Sequence, residues 1–520
     1  MREAALASAG DGPIHILSRA LGGANFAREV IDRGSGTALL HVPRDGPPVA
    51  IGHDWLAERS SAIAGGLAAL GLAPGDRVLV AMERHPDWFA VIFGCMKAGL
   101  VAMPGTVLLT ADDIAFRLAA AGARAAIVAP QLCPRVPELA VRIVAGPARP
   151  GWVALDSLNG PDPGIATAPG DTALIYFTSG TTARPKMVPR DHAYAFAHAH
   201  TARHWMGCGP GDLHWTLTDT GWAKAAWGML FAPLLAGATV VVHEPAHPFD
   251  PAAHLELLAR LGVTVFCAPP TVYRMFAQLP IPPLPRLRRA LGSGEPLNPE
   301  ANRAWTDATG IPIADGYGQT EAICLIGNPP DRPPRIGSMG LPLPCFDIDV
   351  VDAGGRRLPA GETGHVAVRL TDPWPPGLFR GYLTPEGPDR RAFRNGWYYT
   401  GDMARRDADG YFWFVGRADD VILSAGYRIS PFEVESILLE HPAVVESAVV
   451  AAPDPVRGQI VAAHVVLAPG HAADDAMAEA LRAHCRARSQ PWACPRRIIF
   501  APSLPKTISG KIRRAALRAG

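Results

Sequence analysis

The sequence predicts an α/β protein with a large N-terminal domain and a smaller C-terminal domain. Its 520 residues exceed the usual size of one domain, and 48% of them are hydrophobic, which supplies material for a large core. Helical and strand patterns alternate through the first 170 residues, as expected for helices layered on parallel strands. The pattern changes near Gly416–Asp420, and about 100 residues follow, enough for a small second domain.

Apolar spacing and turn residues define the first elements. Helices are predicted over Trp55–Leu70 and Trp88–Leu100, and strands over Arg77–Met82 and Val101–Pro104. The longest apolar runs are broken by lysine, proline or glycine and are too short to span a bilayer, so we interpret them as core segments.

The C-terminal segment has its own pattern. Strands are predicted over Val421–Leu423 and Val444–Ala452. Between them, Ser430–Glu433 forms a capping-box pattern with proline at the first helical position, which predicts a helix that ends before Pro442.

Charge and cysteine usage exclude several classes of function. A formal net charge of +1 offers no general attraction to nucleic acid or to an anionic membrane. An early acidic residue, Glu3, with no apolar run after it predicts that no signal or transit peptide is present. The eight cysteines form no Cys-x-x-Cys pair, so we expect free thiols and a reducing, cytoplasmic setting.

Lysine is rare in this chain. Only five of the 49 basic residues are lysines, at positions 97, 186, 224, 506 and 511. Where arginine serves most needs for positive charge, a retained lysine is a candidate for a compact point charge. We assign no function to Lys97, whereas Lys186 and Lys511 end loops that carry glycine and hydroxyl groups.

The strongest local motif is the loop Thr178–Lys186. A strand-like run over Ala173–Phe177 leads into hydroxyl groups, a glycine and a final lysine, which together suit a polyphosphate. The spacing is not that of a Walker loop, and a Ser/Thr/Gly cluster of this kind alone is more often a polar surface turn.

Three further motifs extend this pattern. Within Asp315–Glu321, Tyr317 can stack on a base, Thr320 can contact phosphate and Glu321 can hold Mg²⁺; taken alone, the segment also fits a polar turn. In Tyr399–Asp402, the carboxylate follows a tight turn and is placed to accept both hydroxyls of a ribose. Near the C-terminus, Leu504–Lys511 puts a second lysine on a glycine-bearing loop.

In their order and spacing these motifs resemble the acyl-adenylate-forming superfamily. Thr218–Trp222, Ser424–Ile429 and Asp454–Gly458 are similar to the medium-chain acyl-CoA synthetases. The resemblance implies a large N-terminal domain, residues 1–416, of layered α/β subdomains with a β-barrel-like subdomain. It also implies a hinge at 417–420 and a small α+β lid domain over 421–520.

The resemblance also implies substrates and residue roles: ATP, Mg²⁺ and coenzyme A, with Lys511, Thr320 and Glu321 as catalytic residues, Glu321 as the Mg²⁺ ligand and Asp419 as the hinge. The implied ATP-binding residues are Thr178, Ser179, Gly180, Thr181, Thr182, Lys186, Gly294, Glu295, Pro296, Asp315, Gly316, Tyr317, Gly318, Gln319, Thr320, Asp402 and Arg417. The implied coenzyme A contacts are Ala425, Gly426, Tyr427, Arg428, Arg457 and Arg496.

The resemblance places the acyl group beside Trp222, Gly292 and Gly318. Acetate-specific relatives have a tryptophan at the position of Gly318, so a deep apolar slot and an acid larger than acetate are expected, either medium-chain or small aryl. The alternative is that these glycines serve backbone turns and that the bulk comes from elsewhere, such as Ile323 or Leu325.

The chain departs from the family pattern at three places. Ala183 replaces a usual glycine in the phosphate loop, Ser430 replaces another glycine, and Trp492–Cys494 replaces a basic pair, which leaves Arg496 as a substitute coenzyme A contact. Two other functions stay open at this stage: an adenylating enzyme that loads a separate carrier-protein thiol, and a non-catalytic nucleotide sensor.

Overall fold

A computed structural model describes residues 25–178, 184–244, 249–424, 427–455, 457–506 and 512–518. These residues form two nine-stranded sheets, a five-stranded antiparallel sheet and, towards the C-terminus, a two-stranded and a three-stranded sheet. Helices connect the strands throughout, so the predicted α/β fold class is confirmed.

The strands of the described residues are β1 Thr37–Val42, β2 Val49–Gly52, β3 Arg77–Ala81, β4 Val101–Pro104, β5 Ala125–Val128, β6 Val141–Val144, β7 Val153–Ala154, β8 Thr172–Thr178, β9 Lys186–Asp191, β10 Leu213–Thr216, β11 Thr239–His243, β12 Val265–Ala268, β13 Arg289–Ser293, β14 Ile313–Gly318, β15 Cys324–Gly327, β16 Leu341–Pro342, β17 Ile348–Val351, β18 Thr363–Arg369, β19 Tyr382–Thr384, β20 Gly387–Asp389, β21 Phe393–Arg394, β22 Trp397–Arg406, β23 Phe412–Arg417, β24 Ile422–Ser424, β25 Tyr427–Ile429, β26 Val444–Asp454, β27 Gly458–Leu467 and β28 Arg497–Phe500.

The α-helices of the same residues are His53–Ala69, Pro86–Lys97, Ala111–Ala121, His192–Thr201, Ala223–Ala225, Ala232–Leu235, Pro251–Leu261, Pro270–Phe276, Pro299–Thr309, Pro431–Leu439, Asp475–Arg488 and Arg514–Arg518. Short π-helical segments cover Ala27–Ile31, Ala202–Met206 and Ala226–Phe231, and 3₁₀ turns cover Pro130–Arg135 and Leu155–Ser157.

The two large sheets are mainly parallel at their centres. One has the strand order β16-β15-β14-β13-β12-β10-β11-β1-β2, and the other has the order β20-β19-β9-β8-β4-β3-β5-β6-β7. In the first sheet β12, β13 and β14 run parallel, so the residues that follow β12 and β13 leave the sheet at one edge. Side chains at this edge of a parallel sheet commonly form the ligand site.

Helix Pro86–Lys97 shows why the apolar run near position 95 is a core segment. Every residue of this helix except Asp87 is buried, and the helix packs against His53–Ala69. Lys97 ends it with no solvent exposure, and its ammonium donates to Asp32 at 2.6 Å and to the Ala57 carbonyl at 3.0 Å. A buried charge with such partners is a structural feature of this core.

The five-stranded sheet is built from residues 348–417, a stretch that also contributes β19 and β20 to the second large sheet. Its order is β17-β18-β22-β21, and β23 also pairs with β22. The antiparallel register places Asp402 of β22 opposite Arg417 of β23. Two of the predicted ATP-binding residues are therefore neighbours because of strand pairing.

The C-terminal segment has its own apolar cluster, formed where helices Pro431–Leu439 and Asp475–Arg488 meet the three-stranded sheet β26-β27-β28. The Ser430 hydroxyl accepts a hydrogen bond from the Glu433 amide at 3.1 Å, so Ser430 caps its helix as predicted. Strand β23 ends at Arg417 and β24 begins at Ile422. The hinge at 417–420 and the two domain ranges stay predictions.

The local sequence predictions agree with the structure to within a few residues. The predicted helices Trp55–Leu70 and Trp88–Leu100 correspond to His53–Ala69 and Pro86–Lys97, and strand Val101–Pro104 has the predicted bounds. None of the helices in the described ranges has both the length and the apolar character needed to cross a membrane.

Candidate functional site

The predicted phosphate loop closes a hairpin. Strands β8 and β9 are antiparallel and pair Thr178 with Lys186, so the two ends of the loop face each other. The predicted phosphate contacts Ser179, Gly180, Thr181 and Thr182, together with Ala183, lie outside the described residues. Thr178 and Lys186 are both half-buried beside the opening of this hairpin.

Tyr382, which the sequence analysis did not select, contacts both Lys186 and Glu321. The Lys186 ammonium lies 4.7 Å from the centroid of the Tyr382 ring. The Tyr382 hydroxyl donates to Glu321 Oε1 at 2.7 Å. Burial raises the pKa of the Tyr382 phenol and the charge of Glu321 raises it further, so the hydroxyl stays protonated and donates.

A buried arginine fixes the backbone of Glu321. Arg190 is 2% exposed, and its guanidinium donates to the Glu321 carbonyl at 2.8 Å and also to the Gly377 carbonyl. The same guanidinium lies 3.9 Å from the centroid of the Tyr194 ring. These contacts hold the end of the Asp315–Glu321 segment in one place, and sequence reasoning missed Arg190 because its partners are distant along the chain.

Asp402 is the centre of the second cluster. Its Oδ2 accepts from the Tyr317 hydroxyl at 2.6 Å and from the Gln319 side-chain amide at 2.6 Å. The Arg417 guanidinium lies 3.3 Å from Oδ1. Gln319 is itself held by the Tyr398 hydroxyl, which donates to Gln319 Oε1 at 2.9 Å. The structure thus brings together three of the predicted ATP-binding residues, Tyr317, Gln319 and Arg417, around Asp402.

Burial and the nearby carboxylates set the protonation of the Arg417 and Tyr317 side chains. Burial lowers the pKa of Arg417, but the carboxylates of Asp402 and Asp419 outweigh it and leave that pKa above the usual range. Burial raises the pKa of the Tyr317 phenol, and the nearby Asp402 charge acts in the same direction. Tyr317 and Arg417 therefore both act as hydrogen-bond donors to Asp402 at neutral pH.

Two of the predicted ATP-binding segments lie side by side on the edge of the first sheet. Strands β13 and β14 are parallel, with Gly292 paired to Asp315 and Ser293 paired to Gly316. The predicted residues Gly294, Glu295 and Pro296 follow β13 directly. Gly294 has φ +97°, a conformation that favours glycine, and a Cβ there would meet open space.

Asp315 and Glu295 have different surroundings. Burial raises the pKa of Asp315 to about 7, against the opposing effects of the Gly316 amide and the Lys224 charge. Lys224 donates to the Ser293 carbonyl at 3.1 Å, so this lysine, to which no role was assigned from sequence, supports the same edge. Glu295 accepts from the Thr271 hydroxyl at 2.8 Å.

The predicted acyl slot at Gly318 is filled by an indole. A Cβ placed on Gly318 would lie 2.2 Å from Cη2 of Trp227 and 2.7 Å from the Ile323 carbonyl oxygen. Trp227 is 5% exposed and lies in the π-helical segment after Trp222. The bulk at this place therefore comes from Trp227, which neither sequence alternative named, and Gly318 provides the close approach that the indole needs.

The other two predicted acyl residues, Trp222 and Gly292, have surroundings of their own. Trp222 is half-buried, and its amide donates to the Asp219 carbonyl at 3.2 Å before helix Ala223–Ala225. Gly292 is buried, and a Cβ there would lie 3.2 Å from Cγ2 of Ile313 and 3.7 Å from Oδ1 of Asp315.

The predicted coenzyme A residues are only partly brought together. Tyr427 stacks on Trp492 with ring centroids 4.6 Å apart, and both rings are exposed. Arg428 donates to the Thr363 carbonyl at 3.4 Å. The backbone amide of Arg457 donates to the Asp454 carboxylate at 2.8 Å, and that of Arg496 donates to the Val461 carbonyl at 2.9 Å. Ala425 and Gly426 lie outside the described residues.

Two arginines contact Asp419, the residue predicted as the hinge. The Arg417 guanidinium lies 3.8 Å from Asp419, and Arg518 donates to the Asp419 carbonyl at 3.2 Å. Arg518 also pairs with Asp420. Lys511 lies outside the described residues, and Thr320 is half-buried between Gln319 and Glu321.

Comparison with known proteins gives a consistent result. The family profile described as AMP-binding enzyme matches residues 41–383, and the profile described as AMP-binding enzyme C-terminal domain matches residues 433–511. The human acyl-coenzyme A synthetase ACSM3, mitochondrial, is 38% identical over 95% of this chain and 89% of that protein. Mouse acyl-coenzyme A synthetase ACSM4, mitochondrial, is 40% identical over 95% of this chain and 90% of that protein.

Solved structures agree with this assignment. An acyl-CoA synthetase from Brucella canis is 32% identical with a TM-score of 0.73, and the match covers 99% of this chain and 98% of that one. A benzoate CoA ligase from Burkholderia xenovorans LB400 is 28% identical with a TM-score of 0.83, covering 95% of this chain and 99% of that one. The chain belongs to the adenylate-forming family of AMP-binding enzymes.

Proposed function

We propose that this protein activates a medium-chain fatty acid or a small aryl acid between Glu321 and Trp227. The chain is an AMP-forming acyl-CoA ligase, as its acyl-coenzyme A synthetase relatives are named. In the first step a carboxylate attacks the α-phosphate of ATP and releases pyrophosphate. In the second step the thiol of coenzyme A displaces AMP from the acyl-adenylate.

The observation that carries the assignment of the nucleotide site is the set of donors around Asp402. This carboxylate is 5% exposed, and Tyr317 and Gln319 both donate to its Oδ2. Two donors on one oxygen fix the orientation of the carboxylate and leave Oδ1, beside Arg417, to accept from ribose hydroxyls. A carboxylate oriented before the ligand arrives loses little freedom on binding.

Lys186 is suited to a phosphate role by its position at the end of the β8–β9 hairpin. Attack of a carboxylate on ATP brings two anions together, and the negative charge at phosphorus grows during the step. Positive groups held in place before the reaction offset this repulsion. The contact of Lys186 with the Tyr382 ring places its charge on the same side of the site as Glu321.

Glu321 also fits the role of a Mg²⁺ ligand. It is buried, one carboxylate oxygen accepts from Tyr382 at 2.7 Å, and its backbone is held by Arg190. Mg²⁺ in nucleotide sites is commonly held by one or two carboxylates together with phosphate oxygens, so a single oriented carboxylate matches that need. When bound, the ion neutralises phosphate charge and supports the departure of pyrophosphate.

The second step requires the thiol of coenzyme A at the place where the first step requires Lys511. Lys511 is proposed to stabilise the first transition state, and the segment around Tyr427 is proposed to admit the pantetheine thiol. Both belong to the C-terminal segment, so a rotation at Asp419 would exchange one for the other. The exposed pair of Tyr427 and Trp492 offers a flat surface for the nucleotide end of coenzyme A.

A screen of pyrophosphate release tests the proposed function. Acetate, butyrate, hexanoate, octanoate and benzoate are each offered with ATP, with and without coenzyme A, and thioester formation is followed by mass spectrometry. We expect release that depends on the acid and a thioester only when coenzyme A is present. Release without any thioester would favour a carrier-protein thiol, and the absence of release with all acids would contradict adenylation.

The cellular setting is also a proposal. All eight cysteines are free, and five of them are buried. Free thiols agree with a reducing cytoplasmic compartment, which fractionation of the native host would test.

A further inference from the structure

Three potential metal ligands meet at the rim of the first sheet, apart from the ATP motifs. His41 lies in β1, Glu244 directly follows β11, and His85 precedes helix Pro86–Lys97. Strands β1 and β11 pair in parallel, and the Glu244 amide donates to the Val42 carbonyl at 3.0 Å. This pairing places the His41 and Glu244 side chains on the same face.

The donor atoms are already close enough to share one ion. His41 Nε2 lies 2.7 Å from Glu244 Oε1, and His85 Nε2 lies 3.8 Å from the same oxygen. One potential ligand atom from each of the three residues lies within 4.8 Å of the others. Zinc binds nitrogen and carboxylate oxygen at about 2.0–2.2 Å, so tetrahedral ligands lie about 3.3 Å apart. The two observed separations bracket this value.

Asp87 supports the ring of His85 from the opposite side. The Asp87 amide donates to His85 Nδ1 at 3.1 Å, and the Asp87 carboxylate lies 3.3 Å from the same nitrogen. When Nε2 binds a metal ion, the ring proton belongs on Nδ1, so this nitrogen would stop accepting from the Asp87 amide and would donate to the Asp87 carboxylate instead. Such a carboxylate–histidine–metal arrangement is usual around zinc.

The local charges also favour a cation. The carboxylates of Glu244 and Asp87 both lie beside the His85 ring, 3.8 Å from Nε2 and 3.3 Å from Nδ1. Two carboxylates next to one ring create a negative potential that attracts a metal cation. As ligands, Glu244 would supply a carboxylate oxygen, and His41 and His85 would supply ring nitrogens.

We propose that His41, His85 and Glu244 bind one Zn²⁺ ion, which clamps the ends of β1 and β11 to the start of helix Pro86–Lys97. Two imidazoles and one carboxylate form a ligand set that zinc accepts, with the fourth position open to water. This site is distinct from the Mg²⁺ position proposed at Glu321, because its ligands come from different elements and include nitrogen.

The clamp would act on a wall of the acyl site. Arg84, next to His85, donates to the Thr218 carbonyl at 3.3 Å, and the Thr220 hydroxyl donates to the Met82 carbonyl at 2.7 Å. The segment that carries His85 is therefore bonded to the segment that leads to Trp222. A bound ion would restrict the motion of both.

Metal titration of the purified full chain tests the proposal. The protein is freed of metal by chelation, and binding of Zn²⁺ is measured by calorimetry, with Co²⁺ as a spectroscopic substitute. We expect one equivalent to bind and Co²⁺ to show the absorption of a tetrahedral site. His85→Asn removes the ligand nitrogen but keeps a residue that can cap the helix, and we expect at least about 100-fold weaker binding.

His41→Gln and Glu244→Gln should weaken binding similarly. Asp87 contacts the His85 ring and not the ion, so Asp87→Asn should weaken binding by about 10–100-fold. His471→Asn removes an exposed histidine elsewhere and should leave the affinity unchanged. Saturating Zn²⁺ should raise the Tm of the wild type but not of His85→Asn. If the wild type shows no saturable binding, or if His85→Asn, His41→Gln and Glu244→Gln bind as the wild type does, the site does not exist.

Discussion

Replacement of Trp227 should lengthen the acid that the enzyme prefers. The Trp227 indole lies against Gly318 at the place assigned to the acyl slot, so its bulk is expected to limit the depth of that slot. Trp227→Leu frees room for about two methylene groups, each worth about 0.8 kcal/mol on burial. The gain is about 1.6 kcal/mol, or about fifteenfold in kcat/KM, for an acid two carbons longer than the wild-type optimum.

The assay is the dependence of kcat/KM on chain length, measured by pyrophosphate release from butyrate to decanoate. Trp305→Leu is the matched control, because Trp305 is also buried but packs against Phe266 and Tyr273. Both variants should lose stability through a cavity, by up to about 3 kcal/mol. Only Trp227→Leu should move the optimum, and an unmoved optimum would refute the assignment of Trp227 to the acyl site.

Gly318→Trp, the substitution suggested by acetate-specific relatives, should behave differently from the sequence expectation. Even the Cβ of such a residue would lie 2.2 Å from the Trp227 ring. We therefore expect a loss of stability from overpacking, of at least about 1–3 kcal/mol, before any change of specificity can be measured. A folded Gly318→Trp variant with wild-type Tm would show that Trp227 moves aside easily.

Three further outcomes are expected. Lys511→Ala should slow adenylation by about 10²–10³ and largely spare thioester formation from a supplied acyl-adenylate; equal losses in both half-reactions would contradict a role in one step. Asp419→Pro should form acyl-adenylate yet leave coenzyme A unused, because proline fixes φ near about −65°, and normal thioester output would place the hinge elsewhere. Asp315→Asn should raise the Tm more at pH 8 than at pH 5. Burial raises the folded-state pKa of Asp315 to about 7 from 3.8, so ionisation of this carboxyl destabilises the wild type increasingly from about pH 4 to 7. A difference in Tm between the two proteins that does not depend on pH would refute this.

The elements that could be predicted from sequence depend on local interactions. Helix Pro431–Leu439 can be predicted from its capping pattern because a cap joins residues only three positions apart, as Ser430 and Glu433 are here. Strand Val101–Pro104 was predicted from its short apolar run between glycine-bearing turns. The motif residues around Asp402 were predicted by resemblance, and the structure brings Tyr317 and Arg417 to it.

The parts that could not be predicted depend on contacts between distant positions. Tyr382 bonds to Glu321 across 61 residues, and Arg190 bonds to the Glu321 carbonyl across 131 residues. Neither residue belongs to a recognisable motif, so only the pairing of β9 with β8 and β19 reveals their place. The same holds for Trp227, because a glycine at position 318 fits an open slot as well as it fits a neighbouring indole.

Transfer of oxygen from the acid to AMP tests the central claim most directly. If the carboxylate attacks the α-phosphate of ATP, one carboxylate oxygen remains on AMP when coenzyme A displaces the acyl group. With hexanoate or benzoate labelled with ¹⁸O in the carboxyl group, mass spectrometry should find one ¹⁸O atom in the AMP produced with each acyl-CoA. Label in inorganic phosphate, with ADP as the nucleotide product, would contradict an acyl-adenylate intermediate.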